Sequence, residues 1–555
     1  MLFFLTRAVC QVLRCGLGGL LLLFFTPATV AGAVASGSVA GEGIERSSLG
    51  SGPNLDELGE LRTKLRNSNK YVRKDAVDAL GKRTEVEAWS LLIDALGDRS
   101  GEVADSAAFL LGSMPEGGDF EDLREDLERD RGLTDKSEQV RRYAAELLGR
   151  MGGPHDFATM AKALKDKDPI TRRLLLFSFE RLLEQGSKPG DARAKLEKAV
   201  LRAFERDKDF LVRARALHVL AALGESAPAG RSGFDRTLAE ACTDSSPEVR
   251  AAAALLLGSV PGKATGLPAF MGRLAADDAF PVRTAALRAL VQVVRGEGGF
   301  PLRKAALELL VLRLEQEESP TISWRCMTEL HALTGFKYKD DVRPWRDWLR
   351  TLAPDWLPRA VGQVEREEQE ELRGSESSAT IVGLPIRSEA VAFVIDFSGS
   401  TWRENDGGRT IKMALEEKLR EALEALPPGT RFLLVPFTNV AKPWREELVE
   451  ATPRNVQNAL GWFEKAQFKG PGNAWEAMLF AQDVVGVDTI VMLSDGAPSG
   501  GSRYRLEQIS AMFLERNLGR QVILDCVLVG AGKRIRGFWG ELSLATGGRM
   551  LAVKL

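Results

Sequence analysis

Three oxygen-bearing side chains stand on alternate residues in the run VAFVIDFSGS (Val391 to Ser400): Asp396, Ser398 and Ser400. A further carboxylate, Asp495, closes the run IVMLSDG (Ile490 to Gly496). Hydroxyl and carboxylate oxygens suit a hard divalent cation. A serine could also act as a nucleophile, and Asp396 with Ser398 could simply cap a helix. A serine hydrolase needs a base, yet no histidine follows His331; the others are His155 and His218. The serines do not sit in G-x-S-x-G, and no Walker loop occurs. Hydrolase chemistry is therefore the weakest of these readings, and the chain is expected not to be an enzyme.

The elements that must position these residues follow from periodicity. After about residue 389, short apolar runs (AVAFVIDF, RFLLVPF, DTIVMLSD, QVILDCVLVG, GRMLAV) alternate with helical patterns such as TIKMALEEKLREALEAL and AWEAMLFAQDVV. Continuous apolar strands between helices imply a parallel sheet covered on both faces, an α/β doubly wound, Rossmann-like fold. Ligands in such folds bind at the carboxyl ends of strands, where Asp396 and Asp495 stand.

D-x-S-x-S with a distant Asp, inside this order of elements, resembles the metal-ion-dependent adhesion site of von Willebrand factor A domains. The resemblance covers residues 389–555. It implies Mg²⁺, or Mn²⁺ or Ca²⁺, held directly by Ser398 and Ser400, with Asp396 and Asp495 acting largely through water. With few anionic ligands the cation stays electrophilic, and an Asp or Glu of a partner protein completes its shell. The family's threonine in a later loop is missing: the matching stretch is Gly470-Pro471-Gly472-Asn473, with Gly472 in the threonine position. Asn473 could substitute through its carbonyl, water could, or the site could be empty.

Residues 54–352 repeat a different pattern, an apolar residue and Arg followed by a small-apolar run ending in Leu-Gly. Copies are YVRKDAVDALG, QVRRYAAELLG, LVRARALHVLAALG, EVRAAAALLLG and PVRTAALRALV, with a degenerate EVADSAAFLLG and a final TISWRCMTELHALTG. Arg73, Arg141, Arg172, Arg213, Arg250 and Arg283, with Ala104 in the first gap, mark a period of 31 to 41 residues, and Arg325 centres the last copy. This resembles HEAT repeats, an all-α solenoid in which each helix pair buries its apolar face only by stacking on the next. The arginines are expected to pair with an acid of the neighbouring repeat. The Leu-Gly glycines are expected to end their helices in the left-handed conformation. Trp345, Trp348 and Trp356 read as a capping helix that seals the array.

The formal net charge of −2 disfavours nucleic acid. Residues 1–35 combine Arg7 and Arg14, an apolar core at Leu20–Phe25 and the small-residue exits Ala31-Gly32-Ala33 and Ala33-Val34-Ala35. This reads as a signal peptide, or as an uncleaved anchor tethering the protein to a membrane. Either way the chain is exported, periplasmic or extracellular. Cys242, Cys326 and Cys526 are too dispersed for a disulfide framework and are expected to be buried thiols. Residues 353–388, with the acidic VEREEQEEL, read as a linker. Together these features describe a secreted, non-enzymatic protein-binding scaffold; the alternative is a metal-free scaffold with a degenerate site.

Overall fold

The computed structural model describes residues 55–151, 157–225, 231–259, 267–338, 341–360, 387–404, 408–466, 468–496 and 498–553. The expected leader and most of the expected linker lie outside these residues. Among the described residues, Leu55 to Ser187 form one compact unit and those from Lys188 onward form another. No helix among the described residues is long and apolar enough to cross a membrane.

From Leu55 to Arg350 the described residues are helical, joined by short turns. The recurring arginine sits one turn inside its helix and does two jobs. In Arg73, Arg141, Arg172, Arg250 and Arg283 the Nη1 donates back to the carbonyls five and six residues earlier, as from Arg73 to Asn67 O (2.9 Å) and Ser68 O (3.0 Å), whereas Arg213 sends its Nε to Phe204 O (2.9 Å). In three of them the Nε and Nη2 fork closes on a carboxylate of the next turn. Arg73 takes Asp98 at 2.7 and 2.8 Å, Arg141 takes Asp166 at 2.7 and 3.2 Å, and Arg250 takes Asp277 at 2.7 and 2.8 Å. Arg213 pairs with Asp244 and Arg283 with Glu317. The planar guanidinium suits this, because its donors leave in two directions at once. Each acid also accepts the N–H two residues on, as Asp98 does from Ser100 (2.7 Å) and Asp277 from Ala279 (2.9 Å). One carboxylate thus shapes its own turn and anchors the preceding repeat.

Two expectations need correction. The Leu-Gly glycines are not left-handed caps. Gly149 and Gly258 lie within the helices Glu138–Met151 and Pro247–Ser259, while Gly81 and Gly112 are C-caps at φ −65° and −62°. They are small because the next helix comes close: a Cβ on Gly149 would fall 2.6 Å from Ser178 Cα, and one on Gly258 2.7 Å from Ala289 Cα. Gly335, in the last copy, does adopt the left-handed cap, at φ 81°. Arg325, in turn, does not occupy the arginine position of its repeat. The helix Pro320–Thr334 starts after Ser319, so Ser323 stands there, and Arg325 lies two residues further along. Conversely Arg303, unmarked by the sequence pattern, fills that position in Phe300–Gln316, donating to Val294 O and Trp356 O.

The array ends in aromatic packing. Trp345 is fully buried, stacked on His331 and edge-on to Tyr338 and Trp348, and Trp348 meets Trp356. All three cysteines in the described residues are buried free thiols.

The C-terminal region is a six-stranded sheet: β1 (Ala390–Asp396), β2 (Arg431–Phe437), β3 (Val449–Glu450), β4 (Thr489–Ser494), β5 (Ile523–Val529) and β6 (Met550–Val553). Their order is β3-β2-β1-β4-β5-β6, parallel except for the two-residue edge β3. Strands β1, β4 and β5 are buried along their length, since helices cover both faces. The chain leaves β1 toward β2, then returns to β4 on its other side. Its switch point therefore lies between the carboxyl ends of β1 and β4.

The sheet region docks on the repeats through its opposite edge. Arg215 donates to Glu515 O (2.7 Å), Arg288 to Gln521 Oε1 (3.0 Å) and Ala545 O (3.2 Å), and Arg325 to Thr546 O (2.8 Å). Gln521, Ala545 and Thr546 lie at the C-terminal ends of the helices Leu506–Arg520 and Lys533–Thr546, just before β5 and β6 begin, and Glu515 lies more than a turn further in. Cationic side chains complement the negative end of a helix dipole and satisfy its last carbonyls. This docking, made by repeat helices of the same compact unit, uses the strand-start edge, opposite the strand-end rim.

Candidate metal centre

At that rim, β1 delivers Asp396 and β4 delivers Ser494 and Asp495. Asp396 is 2% exposed. One of its oxygens accepts from Ser398 N (2.7 Å), the other from Ser494 Oγ (2.7 Å). The first bond folds the chain into a tight turn, and Thr401 Oγ1 braces it by donating to Ser398 O (2.7 Å). Gly399 N donates to Gly470 O (3.0 Å), tying this turn to the loop that carries Gly472.

Ser398 does not cap a helix. It precedes the short 3₁₀ turn Gly399–Trp402 without a side-chain cap bond, and Thr410 caps the helix Ile411–Glu424. Instead Ser398 Oγ lies 3.0 Å from Ser400 Oγ. Two adjacent ligands of an octahedral ion with bonds near 2.05 Å are about 2.9 Å apart. Asp495 Oδ1 is buried with no hydrogen-bond partner. Burial, and then the charge of Asp495, push the Asp396 carboxyl well above the usual carboxylate range. An uncompensated buried oxygen, a like-charged neighbour and two hydroxyls at ligand spacing fit a hard cation. Among the described residues no three His, Cys, Asp or Glu come together as a metal cluster. A cation here would therefore rely on hydroxyl oxygens.

The remaining predicted residues stand nearby with other duties. Asn473 Oδ1 accepts from Glu476 N (3.3 Å), capping the helix Ala474–Asp483, and its Nδ2 donates to Asn439 O (2.9 Å). Gly472 faces the serines: a Cβ there would meet Ser398 Cβ at 3.2 Å and Ser398 Oγ at 3.5 Å.

Comparison with known proteins matches residues 198–291 and 235–330 to HEAT repeats. The chain is also similar to inter-alpha-trypsin inhibitor heavy chains. Mouse (Mus musculus) heavy chain 4 is 32% identical over 130 residues, 21% of this chain and 13% of that protein. Pig (Sus scrofa) heavy chain H2 is 34% identical over 123 residues, 20% and 12%. Human (Homo sapiens) heavy chain H4 is 34% identical over 131 residues, 21% and 13%. The match thus spans only 12–13% of the length of these relatives. The repeats over residues 198–330 are HEAT repeats, and the sheet region is von Willebrand factor A-like.

The A-like domain carries rim features that the sequence pattern did not single out. Lys469 Nζ lies 4.7 Å over the Trp402 ring, and Lys442 Nζ 4.1 Å over Phe468. Phe397, between Asp396 and Ser398, packs on Phe463 and Phe468 beneath them. Aromatic faces hold these ammonium groups without neutralising them. The only sequence hint was aromatic residues flanking polar loops, too common to be distinctive.

Proposed function

We propose that this protein is a non-enzymatic binding scaffold whose A-like domain holds Mg²⁺, or Mn²⁺ or Ca²⁺, at Ser398 and Ser400 under Asp396 and Asp495. The cation recruits an Asp or Glu side chain of a partner protein, and the helical solenoid offers a second docking surface. The observation that carries this reading is the 3.0 Å hydroxyl pair beside an unpartnered buried Asp495 oxygen. Lys442 and Lys469 add attraction for an acidic partner. The N-terminal basic, apolar and small-residue run supports export, as a released protein or one tethered by its leader.

Calorimetric titration of the full chain with Mg²⁺ and Mn²⁺ tests this. Saturable heat that disappears in Asp396→Ala is expected; silence at millimolar metal would sink the reading. A metal-free scaffold is the second reading. It is favoured by Gly472, which offers no hydroxyl, and by the engagement of the Asn473 carbonyl in a helix cap.

A further inference from the structure

The loop after β4 reaches back over the position that Gly472 leaves bare. Gly472 N donates to Ser499 Oγ (2.8 Å), while Ser499 N and Gly500 N donate to Gly472 O (3.0 and 3.2 Å). This two-way clasp fixes Ser499 against the rim. The direction in which a side chain at 472 would project is bounded by Ser398 Oγ at 3.5 Å and Ser499 Oγ at 3.6 Å. A glycine at 472 keeps that space open, since even a Cβ would sit only 3.2 Å from Ser398 Cβ. Ser499 belongs to the same loop as Asp495, whose Oδ1 lacks a partner. Its hydroxyl accepts one bond from Gly472 and retains a second lone pair. Ser499 is also exposed.

We propose that Ser499 Oγ is the third hydroxyl of the metal centre, supplied from the loop after β4 in place of a side chain at 472. This inference rests on the metal reading above and deepens it. It assigns the site a ligand set drawn from the β1 and β4 loops, with Gly472 serving as the backbone donor that orients Ser499. Asn473 then has a positioning role, holding the start of its helix rather than meeting the ion.

The test is titration of the full chain with Mg²⁺, Mn²⁺ and Cd²⁺, comparing wild type, Asp396→Ala, Ser499→Ala and Ser499→Cys, with equal melting in EDTA as a check on folding. Ser499→Ala should weaken Mg²⁺ about tenfold, because ligand count sets affinity for a hard cation. A loss of orientation alone could also weaken binding, so the cysteine variant decides. A thiolate that ligates shifts preference toward the softer ion, and Ser499→Cys should raise the Cd²⁺ to Mg²⁺ affinity ratio by at least about tenfold. If wild type binds and depends on Asp396, yet Ser499→Cys keeps the wild-type preference, the Ser499 assignment is overturned and the metal centre stands. If wild type binds no metal, both fall.

Discussion

The HEAT repeats and the rim of the A-like domain treat buried charge in opposite ways. In the repeats the guanidinium forks of Arg73, Arg141 and Arg250 close on Asp98, Asp166 and Asp277, which also accept backbone N–H groups. At the rim, burial and then the charge of Asp495 raise the cost of ionising Asp396, and one Asp495 oxygen is left without a partner. The first arrangement uses its charges to hold turns and stack helices. The second leaves charge uncompensated, which costs stability and is useful only if something arrives to complete it. If that contrast is real, perturbing charge in the two regions should change stability with opposite sign.

Acid should produce the largest effect, because it reaches more than one repeat pair at once. Burial alone would raise the Asp277 carboxyl, but the Arg250 hydrogen bond and the Ala279 N–H outweigh it and hold it below the usual range. Asp168 is lowered likewise, by Arg142 and Thr171 against burial. A depressed folded-state value contributes stability above the unfolded value, near pH 3.9, and loses it as pH falls below. The urea midpoint of the helical circular-dichroism signal should therefore be lower at pH 3 than at pH 5. An unchanged midpoint at pH 3 would contradict the pairing account.

A single break comes next. Arg141 and Asp166 are 7% and 9% exposed, so Arg141→Ala strands a nearly buried carboxylate and frees two turn carbonyls. A loss of about 3 kcal/mol in urea unfolding is expected. Less than about 1 kcal/mol, the range of exposed pairs, would show that the ladder is decorative.

Gly149→Ala perturbs the same repeats without touching a charge. Its Cβ would press on Ser178 Oγ at 2.4 Å and Cα at 2.6 Å, so the two helices must part. Overpacking of this kind costs about 2 kcal/mol. A neutral or stabilising alanine, as a simple helix-propensity argument would give, would count against the close approach.

The repeat arginines, strands β1, β2, β4, β5 and β6 and the D-x-S-x-S turn were legible because each leaves a periodic or fixed-spacing trace. The glycines were not, since a left-handed cap and a close helix contact select the same residue. Arg325 misled because an apolar-Arg pair matched the pattern while the helix start, which fixes register, lay two residues off. Strand β3 is too short to leave a periodicity. Ser499 was invisible for a different reason: its hydroxyl meets Gly472 N across 27 residues, beside backbone bonds that leave no trace in the sequence.

The smallest effect is the one that separates the two regions most sharply. Asp495→Asn keeps the shape of the side chain, removes a like charge facing Asp396, and sacrifices no hydrogen bond at Oδ1. In EDTA the variant should be about 1 kcal/mol more stable than wild type, as when a strained functional site is relaxed. In saturating Mg²⁺ the order should reverse, because wild type gains linked binding energy that the variant has given up. Equal or lower stability of the variant in EDTA would mean that the rim carries no uncompensated charge. The contrast with the repeats would then reduce to a difference in packing.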